Sequence, residues 1–344
     1  MKRENMSSLN RRQFLKLITI AGGSAAIAIS TGCSTSSSGT SSSASASASS
    51  SSASSNAAAS GTGLLASFAL MSDVHINADN DTPTTRFKNA LEQIAAMDTR
   101  PDAIVVAGDL TDNGQAKQYA IFKQVVQASS FDLDDFIIVS GNHDQYVDDV
   151  DDPEEFESQH KLLIKTFDLP GLYYDTKVAG QHFIIMGPDG IIDNWCNFKA
   201  TETQLNWLDG LLAADAKAGV NSFIVCHEPI CSTISGSYEG DWGYVNSFVN
   251  SDEVLAVVGK YPHAVYISGH THIFPAVEAD ENEPIYVTDG SCARSYKPGE
   301  GFDQENPQSF GIMMEVYSDH LTFHTRNFRD NEWDGEPLEV PLHK

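Results

Sequence analysis

From Leu64 onward, short apolar, β-branched runs alternate with segments whose apolar positions recur at helical spacing. The runs predict strands over Ser67–Met71, Ala103–Ala107, Phe136–Ser140, His182–Met186, Ser222–Cys226, Ala264–Ser268, Ile285–Thr288, Gly311–Tyr317 and Leu321–Phe328. Their Val, Ile and Phe content and their flanking Gly or Asp carry that reading. The helical patterns fall between them, near Thr84–Met97, Gln115–Ala128, Glu154–Phe167, Thr203–Ala216 and Val245–Tyr261. In the fourth, Leu205, Leu208, Leu211 and Leu212 form a stripe that reads as core packing. The first half therefore consists of β-α-β units. The last strands, joined by turns such as Ser318-Asp319-His320, are expected to be antiparallel. The expected class is α/β with mixed sheets covered by helices. No internal repeat and no second domain boundary follow Leu64.

Upstream the pattern changes twice. Residues 34–62 are almost entirely Ser, Ala, Gly and Thr, which have too little to bury to offset their backbone entropy. Such a tether spans on the order of 30 Å root-mean-square as a random coil. Residues 1–33 read as an export signal. Asn10-Arg11-Arg12-Gln13-Phe14-Leu15-Lys16 resembles the twin-arginine signal, and the apolar stretch Leu17 to Ile29 is too short to span a bilayer as a mature helix. It ends in Ile29-Ser30-Thr31-Gly32-Cys33, which is similar to a lipoprotein cleavage site with Cys33 as the acylated residue; Ser30 departs from the usual branched aliphatic residue. The expected division is thus signal (1–33), disordered tether (34–62) and globular domain (63–344). The expected location is the outer face of the cytoplasmic membrane or the cell surface, the alternative being free secretion.

Charge and cysteine content narrow the classes further. Of 344 residues, 21 are basic and 47 acidic, a net charge of -26. Removing the signal strips five basic residues and one acidic, leaving the mature chain near -30. A surface of that sign repels nucleic-acid backbones and anionic lipid, so no nucleic-acid polymer is expected as partner. Cys196, Cys226, Cys231 and Cys292 form no disulfide framework, and roughly 280 folding residues need none.

Candidate chemistry sits where the strands end. Asp73-Val74-His75, Gly108-Asp109, Gly141-Asn142-His143-Asp144, Cys226-His227 and Gly269-His270-Thr271-His272 each follow an apolar run. Strand ends hold polar side chains at fixed positions, and imidazole with carboxylate suits Mn, Fe or Zn. Asp73 and His75, two apart, project to one side on extended backbone. Asp109 has two oxygens and can bridge two ions; Gly108 lets the crowded backbone approach. Asn142 offers a neutral oxygen, and His270 and His272 can divide between the ions.

These blocks, all five in order, resemble the calcineurin-like metallophosphoesterase superfamily over Leu64–Phe328. The Asp109-Leu110-Thr111-Asp112 and Gly141–Asp144 blocks are most similar to its cyclic-nucleotide phosphodiesterase-like branch. The resemblance implies a four-layer sandwich of two mixed sheets flanked by helices and a dinuclear centre. One ion would take Asp73, His75, Asp109 and His272; the other would take Asp109, Asn142, His227 and His270, about 3.5–4 Å away. His143 matches the family's catalytic histidine, and Asp112 the carboxylate that orients it in some branches. A metal-bridging hydroxide would attack phosphorus while His143 assists the leaving group. Locally the ions set the field, so an acidic protein can accept a small anionic phosphate ester. A phosphodiesterase is the leading expectation. A phosphomonoesterase, or a non-catalytic metal- or phospholigand-binding lipoprotein, is the alternative. Asp144 is expected to support the loop, the acidic run Asp148–Glu157 to be a solvated loop and helix start, and Trp195, Tyr238, Trp242 and Tyr244 to pack in loops, stacking on a base or aryl group being the alternative. The remaining histidines, His160 among them, carry no motif.

Overall fold

The β-branched runs form strands, and their order in space explains why all five blocks meet. The computed structural model describes residues 63–146, 153–189, 198–298 and 306–343, all within the unit Ala59–Lys344. The expected signal, Cys33, the tether, Trp195, Cys196 and the start of the acidic run lie outside the described residues. In chain order the strands are β1 (Ala66–Met71), β2 (Ala103–Ala107), β3 (Phe136–Val139), β4 (Tyr174–Val178), β5 (Gln181–Met186), β6 (Ser222–Cys226), β7 (Ala264–Ser268), β8 (Ala276–Glu278), β9 (Ile285–Thr288), β10 (Phe310–Val316), β11 (His320–Asn327), β12 (Glu332–Trp333) and β13 (Leu338–Pro341). The helices are α1 (Asp81–Ala95), α2 (Ala116–Ala128), α3 (Pro153–Phe167), α4 (Glu202–Ala218), α5 (Trp242–Val245) and α6 (Ser251–Val258).

One sheet runs β12-β11-β10-β1-β2-β3, with β13 on β11; the other runs β4-β5-β6-β7-β9-β8. Each contains a parallel run, β1-β2-β3 at one end of the first and β5-β6-β7-β9 within the second. The remaining pairings, β10 on β1 and β4 on β5 among them, are antiparallel. Parallel strands are covered on both faces, and β1, β2, β6, β7 and β9 are accordingly buried throughout. The two sheets face each other across a shared core in which Phe68 of β1 meets Phe183 of β5 edge-on at 4.8 Å, and Phe183 stacks on Phe223 of β6 at 5.3 Å. The outer face of the first sheet buries Phe87 and Leu91 of α1 and Tyr119 and Phe122 of α2. The outer face of the second buries Leu205, Leu208 and Leu212 of α4 with Val254 and Val258 of α6. This is the expected four-layer mixed α/β sandwich.

Two expectations need correction. The helix expected over Val245–Tyr261 is broken: α5 ends at Val245 and α6 begins at Ser251. Between them Ser247 Oγ donates to the Pro229 carbonyl, Asn250 Nδ2 donates to the Ala200 carbonyl at 2.9 Å, and Phe248 bridges to Phe198. These tertiary bonds outweigh the helical spacing. Strands β4, β8, β12 and β13 went unread. β4 alternates half-buried and exposed positions at a sheet edge, and β8 and β12 span only three and two residues.

Candidate metal centre

Every predicted block leaves the carboxyl end of a strand: β1 (Asp73, His75), β2 (Asp109), β3 (Asn142, His143), β6 (His227) and β7 (His270, His272). The first sheet thus supplies the carboxylates and the second most of the imidazoles. All seven predicted ligands are buried. Asp73 and His75 do not sit on extended backbone as expected. They take φ of 51° and 49°, and Asp109, His270 and His272 take 52°, 69° and 54°. Five of the ten described non-glycine residues with positive φ are therefore predicted ligands. Left-handed backbone costs on the order of 1–3 kcal/mol per non-glycine residue and collects at functional sites. Gly108, at φ 86°, has a further constraint: a Cβ there would strike the His227 ring.

The side chains converge in two groups that share Asp109. In the first, His75 Nε2 lies 3.0 Å from His272 Nε2, 3.6 Å from Asp109 Oδ2 and 3.8 Å from Asp73 Oδ1. His272 Nε2 is 3.0 Å from Asp73 Oδ1. Single atoms of Asp73, His75, Asp109 and His272 lie within 4.8 Å of one another. In the second, His227 Nε2 is 3.2 Å from Asp109 Oδ2 and its ring is 4.9 Å from that of His270, whose Nδ1 lies 3.0 Å from Asn142 Oδ1.

Whether these residues fit cations is decided by their tautomers. His227 Nδ1 donates to the Ala107 carbonyl at 2.7 Å, His272 Nδ1 to that of Arg294 at 3.0 Å, and His270 Nε2 to that of Asn246 at 2.5 Å. Each backbone carbonyl takes the ring N–H and turns the bare nitrogen inward, as metal-binding histidines require. The bare Nε2 of His272 thus points at the Asp73 carboxylate and at His75 Nε2, each 3.0 Å away. Asp73 Oδ1 and His227 Nε2 are buried and have no hydrogen-bond partner. Donors without hydrogens, gathered around two buried carboxylates, fit metal ions.

The electrostatics agree. Burial alone would raise the Asp73 and Asp109 carboxyls, but the neighbouring imidazoles overcome it and hold both below the usual carboxylate range. Burial lowers His75 to about 4 and, with the charge of His227, His270 to about 3. His227 is raised, because Asp109 and Asp73 outweigh its burial.

His143 Nδ1 donates to the Asp112 carbonyl at 2.7 Å, and its backbone N–H donates to Asp109 Oδ1 at 2.9 Å. Asp112 therefore orients His143 through its main chain. Its carboxylate, expected in that role, instead accepts from Asn77 at 2.8 Å and lies 3.6 Å from His75 Nδ1. Asp144 holds the loop: it accepts from the N–H groups of Leu110, Thr111 and Gly141 and from the Thr111 hydroxyl. Burial and the charge of Asp109 raise it to about 6.

Sequence reasoning passed over Ser72, Asn246 and Asp289. Ser72 Oγ lies 2.5 Å from Asp73 Oδ2, 2.6 Å from Asp289 Oδ1 and 3.0 Å from the Gly290 carbonyl. With one hydroxyl proton among these acceptors, Ser72 braces the Asp73 carboxylate against the floor of the site. Asp289 follows β9 as Asp73 follows β1, and the strand-end rule applied to β9 would have found it. Asn246 acts through a carbonyl, for which side-chain chemistry gives no signal. A cavity of about 780 Å³ between α1 and β10–β12, lined by Gln93, Arg326 and Trp333, lies apart from these groups.

Set against known proteins, residues 66–274 match the family model described as calcineurin-like phosphoesterase. The chain is 28% identical over 241 residues to a probable cyclic nucleotide phosphodiesterase of Rhodococcus erythropolis, covering 64% of this chain and 69% of the relative. It is 24% identical over 214 residues to a probable glycerophosphodiester phosphodiesterase, GpdQ, of Arcobacter nitrofigilis, covering 59% and 70%. Among solved structures, a dimetal phosphatase from Danio rerio shares the fold with a TM-score of 0.59 at 15% identity, covering 81% of this chain and all of that one.

Proposed function

Because the chain belongs to the calcineurin-like phosphoesterase family and is a metal-dependent phosphoester hydrolase, we propose that it is a dinuclear phosphodiesterase working outside the cytoplasmic membrane. One ion would be held by Asp73, His75, Asp109 and His272, the other by Asp109, Asn142, His227 and His270. The observation that carries this reading is the set of carbonyl-locked imidazoles with bare nitrogens directed at buried carboxylates. When bound, such ions, of the Mn, Fe or Zn class, offset phosphate charge and acidify water so that a nucleophile exists at neutral pH.

The residues do the rest. Asp109, braced by the His143 backbone N–H, holds the two halves of the site in register. His143 keeps one proton on Nδ1 against the Asp112 carbonyl, so proton transfer runs through Nε2. As imidazolium it gives the Nε2 proton to the departing oxygen and returns to the neutral ring, still bonded to Asp112. The diester preference is supported by two relatives named as phosphodiesterases. His143→Ala should lower turnover of bis-p-nitrophenyl phosphate by roughly 10²–10⁴ with metal content unchanged; parental rates in that variant would remove the assigned role. Faster turnover of p-nitrophenyl phosphate than of its bis-ester would favour a monoesterase. Bound ions without turnover on any ester would favour a binding protein.

Export rests on the sequence of residues 1–33. The paired arginines before an apolar run and Cys33 after it support a lipid anchor on Cys33, with the Ser/Ala-rich segment as spacer. Cys33→Ala should shift the protein from the membrane fraction to the medium. Unchanged membrane association would end the anchor.

A further inference from the structure

Three aromatic side chains stand among the exposed large apolar residues described, Tyr146, Trp242 and Trp333, and Trp242 packs against a candidate ligand. Tyr146 follows the turn that carries His143. Trp242 lies beside His270, its ring 4.9 Å from the His270 ring at 41°, and it remains 38% exposed.

The position of Trp242 is fixed by the ligand loop. Gly243 N–H donates to the Gly236 carbonyl at 3.1 Å, and a Cβ on Gly243 would come within 2.7 Å of Thr271 Cγ2, between the two ligand histidines. Asn246 Nδ2 donates to the Trp242 carbonyl at 3.0 Å, while the Asn246 carbonyl accepts from His270 Nε2 at 2.5 Å. The short helix α5 is thus fastened to the metal loop at both ends. A tryptophan serving only to pack that loop would turn inward; this one lies tilted against a candidate ligand ring and leaves over a third of its surface in water. An indole face fixed beside a phosphate-binding centre suits a flat π-system, since base–aromatic stacking is strong and tolerant of base identity.

We propose that Trp242 is the specificity-determining residue of this site, receiving the nucleobase of a nucleotide phosphodiester, so that nucleotides rather than glycerol-headgroup diesters are the preferred substrates. This rests on the phosphodiesterase reading above. The test compares kcat/KM of the metal-loaded protein for 3′,5′-cyclic AMP and for glycerophosphoethanolamine. Trp242→Leu, which keeps bulk against His270 but removes the π face, should lower the ratio of the two values about 10-fold or more, chiefly through KM for the nucleotide. Trp242→Phe should hold the ratio within about threefold. Because both substrates share the centre, damage to His270 would lower both values and leave the ratio intact; an unchanged ratio in Trp242→Leu overturns the proposal. Binding gives a second readout: AMP should quench tryptophan fluorescence in the parent and not in Trp242→Phe. A parent that cleaves neither diester would count against the phosphodiesterase reading. The quench then decides the role of Trp242, and its absence in the parent overturns it.

Discussion

A carboxylate that binds a cation must present its lone pairs in a fixed direction, and Asp73 is aimed by its neighbours. Oδ2 takes the Ser72 hydroxyl at 2.5 Å and the His270 backbone N–H at 3.1 Å, leaving Oδ1 without a partner. Ser72→Ala should therefore leave the fold intact and weaken metal affinity roughly 10- to 100-fold, the usual cost of losing a group that orients a ligand. A metal titration giving the parental affinity would show that Ser72 does not aim Asp73. The same division of labour holds for the imidazoles of His227, His270 and His272, each with one nitrogen on a carbonyl and the other directed inward. Even so, three of those carbonyls, on Ala107, Asn246 and Arg294, belong to residues whose side chains play no part in that contact.

At the scale of elements, α3 steadies the turn that carries His143. His160 of α3 lies with Nε2 2.8 Å from Gln145 Oε1, and Gln145 Nε2 donates to Ser140 Oγ and the Gly141 carbonyl. With its amide hydrogens so used, Gln145 Oε1 accepts from a neutral His160. Burial lowers His160 from 6.5 to about 4. Between those values the unfolded chain binds more protons than the folded one, so stability must rise with pH. It is fully present above about 6.5 and lost as pH falls towards about 4. His160→Gln should flatten that slope in denaturant unfolding followed over the same window. Parallel curves for parent and variant would contradict it. What the sequence made legible follows from the same contacts. Buried parallel strands such as Ala103–Ala107 announce themselves, because both faces demand apolar side chains. The edge strand β4 and the break between α5 and α6 do not, because partners remote in sequence decide them. Likewise the residue types that meet at the strand ends and their order were readable, while their left-handed backbone was not; nor was the use of the Asp112 carbonyl in place of its carboxylate.

Across the whole molecule, the site exists only where the two sheets meet. Asp73, Asp109 and Asn142 come from one, His227, His270 and His272 from the other, and the Phe68–Phe183 contact sits in the core between them. Any ion spanning these groups ties the halves together. Its binding should raise stability by about 2.7 kcal/mol at a hundred times its dissociation constant. The most direct measurement is the metal content and geometry of the folded, loaded protein, by elemental analysis together with anomalous scattering. The account predicts two ions per chain about 3.5–4 Å apart, bridged by Asp109. Well-folded protein that takes up no cation under any loading condition, or one whose ions lie away from Asp73, Asp109 and His227, would contradict it.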